Sequence, residues 1–92
     1  MSGESLWNRT TVETQGKSGE KVTASFKYLG EGQVVEVHKG CSCTSYYIKK
    51  NEVFLTVKKS SVREYTIVAS AEVANGKDRR FDVLTIKHTV TK

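Results

Sequence analysis

The two cysteines of this sequence form its most chemically distinctive segment, Gly40-Cys41-Ser42-Cys43-Thr44. Residues i and i+2 of an extended strand point to one face, so Cys41 and Cys43 could bind one soft metal ion such as Cu(I) or Zn²⁺. His38 and His88 would complete a four-ligand set, but alternation places His38 on the polar face of its strand and His88 on an apolar face. A Cys-x-Cys without a second cysteine pair is weak evidence for zinc. We therefore expect buried structural thiols and no cofactor, with a metal or redox carrier as the alternative.

Four aromatic side chains are candidates for binding a partner. Trp7 and Phe54 are out of phase with the apolar residues around them, which predicts exposed rings. Tyr46 and Tyr47 are adjacent, so in a strand one of them faces away from the core. Trp and Tyr are favoured interface anchors because they bury a large area and can still satisfy one polar atom. We predict partner binding by these four residues, and the alternative for each is a place in the core.

The charge balance favours an acidic partner. Fifteen Lys and Arg against ten Asp and Glu give a formal net charge of +5, which suits nucleic acid, anionic lipid or an acidic protein surface. The basic residues are scattered along the chain, however, as expected where lysines protect β-edges and turns from aggregation. If their turns lay at one end of the molecule, a basic rim would contain Lys49, Lys50, Lys58, Lys59, Lys77, Arg79 and Arg80. Lys49, Lys50, Arg79 and Arg80 join the predicted partner-binding residues.

Motifs of known catalytic sites are missing from the sequence. It has no Gly-x-Ser-x-Gly, phosphate-binding loop or dinucleotide fingerprint, and its acidic residues are scattered. Cys41 or Cys43 could be paired with His38 as nucleophile and base, but no orienting third group is identifiable. We therefore expect that the protein is not an enzyme. It also has no apolar run of about 20 residues, so we expect no membrane span.

The elements that must position these residues are strands. The chain of 92 residues predicts a single domain over residues 1–92, with 1–5 as a flexible N-terminal tail. Valine occurs twelve times, and β-branched residues favour strands. Seven β-like runs are separated by turn signals, at about 6–14, 22–28, 34–39, 45–48, 52–58, 63–73 and 80–91. Such spacing predicts an all-β, immunoglobulin-like sandwich of about seven strands.

Alternation predicts the inward side chains of these strands. In the second, fifth and last runs the inward residues are Val22, Ala24, Phe26, Tyr28, Val53, Leu55, Val57, Leu84, Ile86 and Val90. In the third run we expect Val35 and Val37 to face inward, and Glu36 and His38 outward. The segment 15–19 is predicted to be a turn, and Asn75-Gly76 predicts a type I′ hairpin turn.

One stretch of the sequence carries a resemblance. Its residues are Ser25-Phe26-Lys27-Tyr28-Leu29-Gly30-Glu31-Gly32, then Val35 and Val37, then Cys41-Ser42-Cys43-Thr44. The stretch resembles a family of bacterial immunoglobulin-like domains of unknown function, related to the Ig-like domains of ciliary and centrosomal proteins. Those domains share an aromatic strand, an Asn-x-Gly turn, an alternating strand and a Cys-x-Cys-Thr corner. The resemblance covers roughly residues 22–57 and implies a non-catalytic sandwich, found in secreted bacterial proteins and in tailed-phage genomes.

The sequence departs from that family at three places. Leu29 stands where the family's turn usually has Asn, and Ser42 stands where the corner usually has Gly. Lys49-Lys50-Asn51 replaces the expected Pro-Gly turn.

The resemblance and the lack of a secretory leader at residues 1–5 predict a phage structural protein in the virion or host cytoplasm. We expect a capsid decoration (cement) protein or a head–tail or tail component, whose partner is the major capsid or tail protein. A basic nucleic-acid-binding module is the first alternative, and a Cys-x-Cys metal or redox carrier is the second.

Overall fold

A computed structural model describes residues 6–40 and 44–92. It contains seven strands: β1 (Thr11–Lys17), β2 (Lys21–Lys27), β3 (Gln33–Lys39), β4 (Thr44–Lys49), β5 (Glu52–Lys58), β6 (Glu64–Asn75) and β7 (Asp78–Thr91). One sheet has the order β1-β7-β6-β3 and the other has the order β2-β5-β4. β1 runs parallel to β7, and the remaining pairs of neighbouring strands are all antiparallel. A sheet of β2, β5 and β4 that faces a sheet containing β3, β6 and β7 is the arrangement of the immunoglobulin sandwich. The predicted fold class is therefore confirmed.

The core lies between the two sheets and is built from alternate residues of the strands. Phe26 of β2, Leu55 of β5 and Leu84 of β7 are fully buried, with 0% exposure. Val22 is partly buried, and the other residues predicted to face inward in these three strands are all buried. The prediction for the second, fifth and last strands is thus confirmed. The reason is that one face of each strand packs against the opposite sheet.

The inward pattern of β3 was predicted wrongly at one position. Val35 is 43% exposed, and Val34 takes the inward position together with Val37. The register of β3 against β6 shifts between Val34 and Glu36, which is a β-bulge. An extra residue at a bulge breaks strict alternation, so the phase read from Val37 does not extend back to Val35. Glu36 and His38 are exposed, as predicted.

The first strand differs from its prediction at both ends. β1 begins at Thr11 and continues through Gln15, Gly16 and Lys17, which were predicted to form a turn. These residues extend a parallel ladder with β7 that runs from Thr11 opposite Thr85 to Lys17 opposite Thr91. Long-range pairing therefore overrides the local turn preference of Gly16.

The hairpin turns also differ from their prediction. Lys50 and Asn51, between β4 and β5, have φ angles of 50° and 66°, and two positive φ values are the mark of a type I′ turn. At the hairpin between β6 and β7, Asn75 is paired with Asp78, so the two turn residues are Gly76 and Lys77. Only the first of them has a positive φ, the pattern of a type II′ turn.

Tyr65, the second residue of β6, fixes the connection from β5. Its hydroxyl donates to the backbone oxygen of Ser61, 3.1 Å away. Lys59 Nζ and Arg63 Cζ each lie 4.7 Å from the centre of the Tyr65 ring. A tyrosine that bonds back to the chain before this strand is a recurrent feature of immunoglobulin-type sandwiches.

His88 introduces a titratable group into the core. It is 1% exposed, its Nδ1 lies 2.8 Å from Thr14 Oγ1, and its Nε2 has no hydrogen-bond partner among the described residues. Burial lowers the pKa of His88 below its ordinary value, and attraction by Glu20 offsets part of that shift. The folded protein therefore binds fewer protons at this site than the unfolded chain does.

This difference predicts that the free energy of unfolding falls as pH decreases through about 6.5, the ordinary histidine pKa, because the unfolded state then gains protons first. Urea unfolding at a series of pH values from 7.5 down to 5.5 measures the fall. His88→Asn should flatten the curve, because the buried side chain at position 88 then no longer takes up a proton on unfolding. An equal slope in the wild type and in His88→Asn would contradict the prediction.

Candidate functional site

Trp7 is not the exposed anchor that was predicted. It is 4% exposed and belongs to the core. Its backbone forms a bridge with Tyr28, the two ring centres are 5.2 Å apart, and its Nε1 donates to Asp82 Oδ2 at 2.9 Å. Because β1 begins only at Thr11, the phase of that strand does not extend to Trp7.

The two arginines predicted to bind a partner form ion pairs within the chain. Arg79 Nη1 lies 2.6 Å from Glu72 Oε2, and Arg80 Nη2 lies 3.1 Å from Asp82 Oδ2. Arg80 also donates to the hydroxyl of Tyr28 at 2.9 Å. The hydrogen bonds to Asp82 and Tyr28 raise the pKa of Arg80 above its ordinary value. Arg80 thus links the start of β7 to Tyr28, the residue that follows β2.

The basic rim of seven residues divides between the two ends of the sandwich. The β2–β3 and β4–β5 connections lie together, because Asn51 Nδ2 donates to the Gly32 backbone oxygen at 3.2 Å. The β6–β7 hairpin lies at the same end, where Gly32 packs against Ala74. The residues at this end are Lys49, Lys50, Lys77, Arg79 and Arg80. Lys58 and Lys59 lie at the other end, where Gly19 N donates to the Lys59 oxygen at 2.9 Å.

Two of the predicted aromatic residues come together on the outer face of the three-stranded sheet. Tyr47 of β4 lies directly opposite Phe54 of β5, which lies opposite Ser25 of β2. The ring centres of Tyr47 and Phe54 are 5.8 Å apart, with an angle of 39° between their planes. Tyr47 is 59% exposed and Phe54 is half-buried. The pair therefore forms an open aromatic platform at the middle of the sheet.

Lysines surround this aromatic pair. The outward residues of the three strands, which we call the basic aromatic face, are Lys21, Thr23, Ser25, Lys27, Ser45, Tyr47, Lys49, Glu52, Phe54, Thr56 and Lys58. Four lysines against one glutamate give it a net charge of +3. Lys21 and Lys58 lie directly opposite each other, and like charges in that position destabilise a sheet. An anionic group bound between them would relieve this repulsion.

Two other predicted residues lie beside this face. Tyr46 points to the inner side of β4 but is 40% exposed, because β4 is the edge strand of its sheet. Lys39 Nζ lies 5.9 Å from the Tyr46 ring and donates to the Thr44 backbone oxygen at 2.7 Å. Lys50 is exposed in the turn at the end of β4. Neither residue belongs to the outward row of Tyr47 and Phe54.

The outer face of the four-stranded sheet carries an apolar cluster that was not predicted. Val68, Phe81 and Val83 are 46%, 56% and 54% exposed. The centre of the Phe81 ring lies 5.5 Å from that of His38. The alternation that places Leu84 inward also places Val83 and Phe81 outward, so the sequence held the signal for this cluster. We call the outer side of this sheet the apolar face.

His38 belongs to an ion-pair network on the apolar face. Ligand atoms of Glu36, His38 and Glu72 lie within 4.8 Å of one another. The carboxylate of Glu72 already contacts His38 Nε2 at 3.2 Å and Arg79 Nη1 at 2.6 Å. Hydrogen bonds from these two residues lower the pKa of Glu72 below its ordinary value. Charge pairing thus accounts for His38 and Glu72, and Glu36 lies beside this pair.

The candidate metal ligands Cys41 and Cys43 lie outside the described residues. The expectation that they are structural thiols therefore stays a prediction, as does the alternative of a metal site that joins them to His38.

Comparisons with known proteins bear on the fold. No family model and no curated protein matches the chain. A solved structure of a Bacteroides ovatus GH5 xyloglucanase, in complex with a XXXG heptasaccharide, is similar with a TM-score of 0.54 and 16% identity. The match covers 90% of this chain and 18% of that chain. Such a likeness supports the sandwich fold and nothing beyond it. Residues 6–40 and 44–92 contain no candidate for a membrane-spanning helix.

Proposed function

We propose that this chain is a non-catalytic binding subunit that docks on an acidic protein surface through its basic aromatic face. The observation that carries the proposal is the open Tyr47–Phe54 pair within a face of net charge +3. Aromatic rings supply buried area at the centre of an interface, where most of the binding free energy is concentrated. The surrounding lysines accelerate association with an acidic surface and select against basic ones.

The face suits a partner that is present in many copies. It is small, and three strands with side chains of moderate size limit the affinity of a single contact. Repetition on a symmetric scaffold raises the overall affinity without any new contact. With the resemblance of residues 22–57, this supports a phage virion component as the biological setting. The subunit would then be a capsid decoration (cement) protein, or a head–tail or tail component, bound to the major capsid or tail protein.

Nucleic acid is the second candidate partner, and one observation favours it. Tyr47 exposes 59% of its surface next to Phe54 and among lysines, and bases stack on aromatic rings of this kind without sequence preference. The same face would serve both partners. The two candidate partners are distinguished by whether the protein binds a single-stranded oligonucleotide or a capsid surface.

The experiment compares variants of the face with matched variants elsewhere. Tyr47→Ser and Lys58→Glu should each weaken co-sedimentation with capsids of the phage that encodes the chain by about tenfold or more, as loss of an interface anchor does. Lys77→Glu makes the same charge reversal, and Val62→Ser also replaces an exposed apolar side chain by Ser; both positions lie outside the face, so both variants should have little effect. All four positions are exposed, so far-UV circular dichroism should be unchanged.

Three results would count against the proposal. Wild-type protein that neither co-sediments with capsids nor occurs in virions by mass spectrometry would overturn it. Equal losses of capsid co-sedimentation in the Lys58→Glu and Lys77→Glu proteins would show that the basic aromatic face is not the binding surface. Retention of a single-stranded oligonucleotide with a steep fall in affinity as salt rises, and no capsid binding, would establish the second candidate instead.

A further inference from the structure

The two outer faces of the sandwich have opposite charge. The charged residues that face outward from the four-stranded sheet are Glu13, Lys17, Glu36, Glu64, Glu72, Arg79 and Lys87. Four glutamates against three basic residues give the apolar face a net charge of −1, in a chain whose formal charge is +5. The basic aromatic face on the other side has +3. The chain thus presents complementary charge on its two sides.

Each face also has an apolar centre. On the apolar face, Phe81, Val83 and Val68 occupy neighbouring outward positions of β6 and β7. Phe81 lies opposite Glu72, whose charge is paired with Arg79. Among the described residues Glu36 forms no ion pair, and it lies on β3 directly opposite Glu72. This face therefore combines exposed apolar area with an unpaired carboxylate beside it.

We propose that the basic aromatic face of one copy binds the apolar face of a second copy. The inference rests on the proposed function, because it names an acidic surface that the basic aromatic face would recognise. The two faces lie on opposite sides of one sandwich, so the contact is head-to-tail. Repetition of such a contact produces a ring if it closes and an open stack if it does not.

The charges disfavour the two alternative contacts between copies. Packing two basic aromatic faces together would place four lysines against four lysines, a like-charge arrangement that costs binding free energy. Packing two apolar faces together would bring two faces of net charge −1 against each other, so their net charges supply no attraction. The head-to-tail contact alone brings a net negative face against a net positive one.

Two double variants test the contact, each with one altered face. The first, Phe81→Ser with Val83→Ser, alters the apolar face, and the second, Tyr47→Ser with Lys58→Glu, alters the basic aromatic face. In sedimentation velocity the wild type should associate as concentration rises and dissociate as salt rises. Each double variant alone should lose association by about tenfold or more. Val62→Ser is the control and should associate like the wild type.

An equimolar mixture of the two double variants gives the sharper result. Each protein retains one intact face, so the mixture should form a heterodimer and nothing larger, which native mass spectrometry resolves. Self-association of the Tyr47→Ser, Lys58→Glu protein would instead indicate pairing of two apolar faces and would overturn the proposal. A wild type that stays monomeric at every concentration would also overturn it.

Failure of this inference is distinguishable from failure of the proposed function. If the wild type is monomeric but binds capsids through Tyr47 and Lys58, the head-to-tail contact is wrong and the docking role stands. If the wild type associates through both faces and binds no capsid, the acidic partner is the chain itself and the wider docking role is wrong.

Discussion

Trp7→Ala is expected to lower the free energy of unfolding by about 3–5 kcal/mol, the range for removing a large buried aromatic side chain. Trp7 is 4% exposed, packs against Tyr28, and donates its Nε1 hydrogen to Asp82 at 2.9 Å. Its neighbours Leu6 and Asn8 hold this segment against the end of β2 and the residues after it, because Asn8 N donates to the Lys27 oxygen and Leu29 N donates to the Leu6 oxygen. Urea unfolding followed by far-UV circular dichroism measures the loss.

A conservative variant separates packing from hydrogen bonding at this position. Trp7→Phe keeps most of the contact with Tyr28 and removes the bond to Asp82, whose carboxylate still pairs with Arg80. We expect a smaller loss, about 1–3 kcal/mol, because one buried polar partner is removed. An alanine variant as stable as the wild type, with weakened partner binding, would contradict the core role and support the exposed anchor predicted from the sequence.

The sequence was sufficient to predict the fold class because the strands are amphipathic. Where one face of a strand packs on the opposite sheet, a period of two residues is imposed on the chain, as in β2, β5 and β7. Phe26, Leu55 and Leu84 were correctly placed for this reason. The period says which residues share a face. It does not say how far the pairing of two strands continues. The predicted first strand, at about 6–14, therefore began and ended before the observed strand, β1 (Thr11–Lys17).

Local deviations from the period were beyond prediction. The bulge at Val34 and Glu36 depends on how β3 meets β6, and a single sequence does not give that register. The positive φ values of Lys50 and Asn51 follow from the short connection between β4 and β5. Asn75-Gly76 had the stronger local signal for that turn type, yet the pairing of Asn75 with Asp78 moved the turn by one residue.

The positions of the candidate aromatic side chains were predicted in part for the same reason. Phe54 was correctly expected to point outward, because Val53 and Leu55 fix the phase of β5, but its ring is half-buried where an exposed ring was predicted. The choice between Tyr46 and Tyr47 needed the register of β4 on β5, which places Tyr47 opposite Phe54. The four lysines of the face come from three strands and are distant in sequence, so they are invisible as a cluster until the sheet is assembled.

Gly32 occupies a position where the assembled fold, rather than the local turn, restricts the side chain. Its φ of +104° lies in a region that L-residues rarely adopt, and a Cβ added there would lie 2.6 Å from the Ala74 backbone oxygen. The segment before β3 therefore approaches the end of β6 as closely as a glycine allows. The Gly32 oxygen also accepts a hydrogen bond from Asn51 Nδ2 at 3.2 Å, so three connections meet at this point.

Gly32→Ala is expected to lower the free energy of unfolding by about 2–6 kcal/mol. About 1–3 kcal/mol comes from the positive φ and about 1–3 kcal/mol from displacing the Ala74 backbone. Gly76→Ala and Gly19→Ala are matched controls, since both glycines have positive φ and an added Cβ would meet nothing within 4 Å. Urea unfolding of the three variants isolates the contact, because only Gly32→Ala combines both costs. If Gly32→Ala loses no more stability than the controls, the loop before β3 can move away from the Ala74 backbone at no cost in free energy. The close contact of the three connections would then not restrict the side chain at position 32.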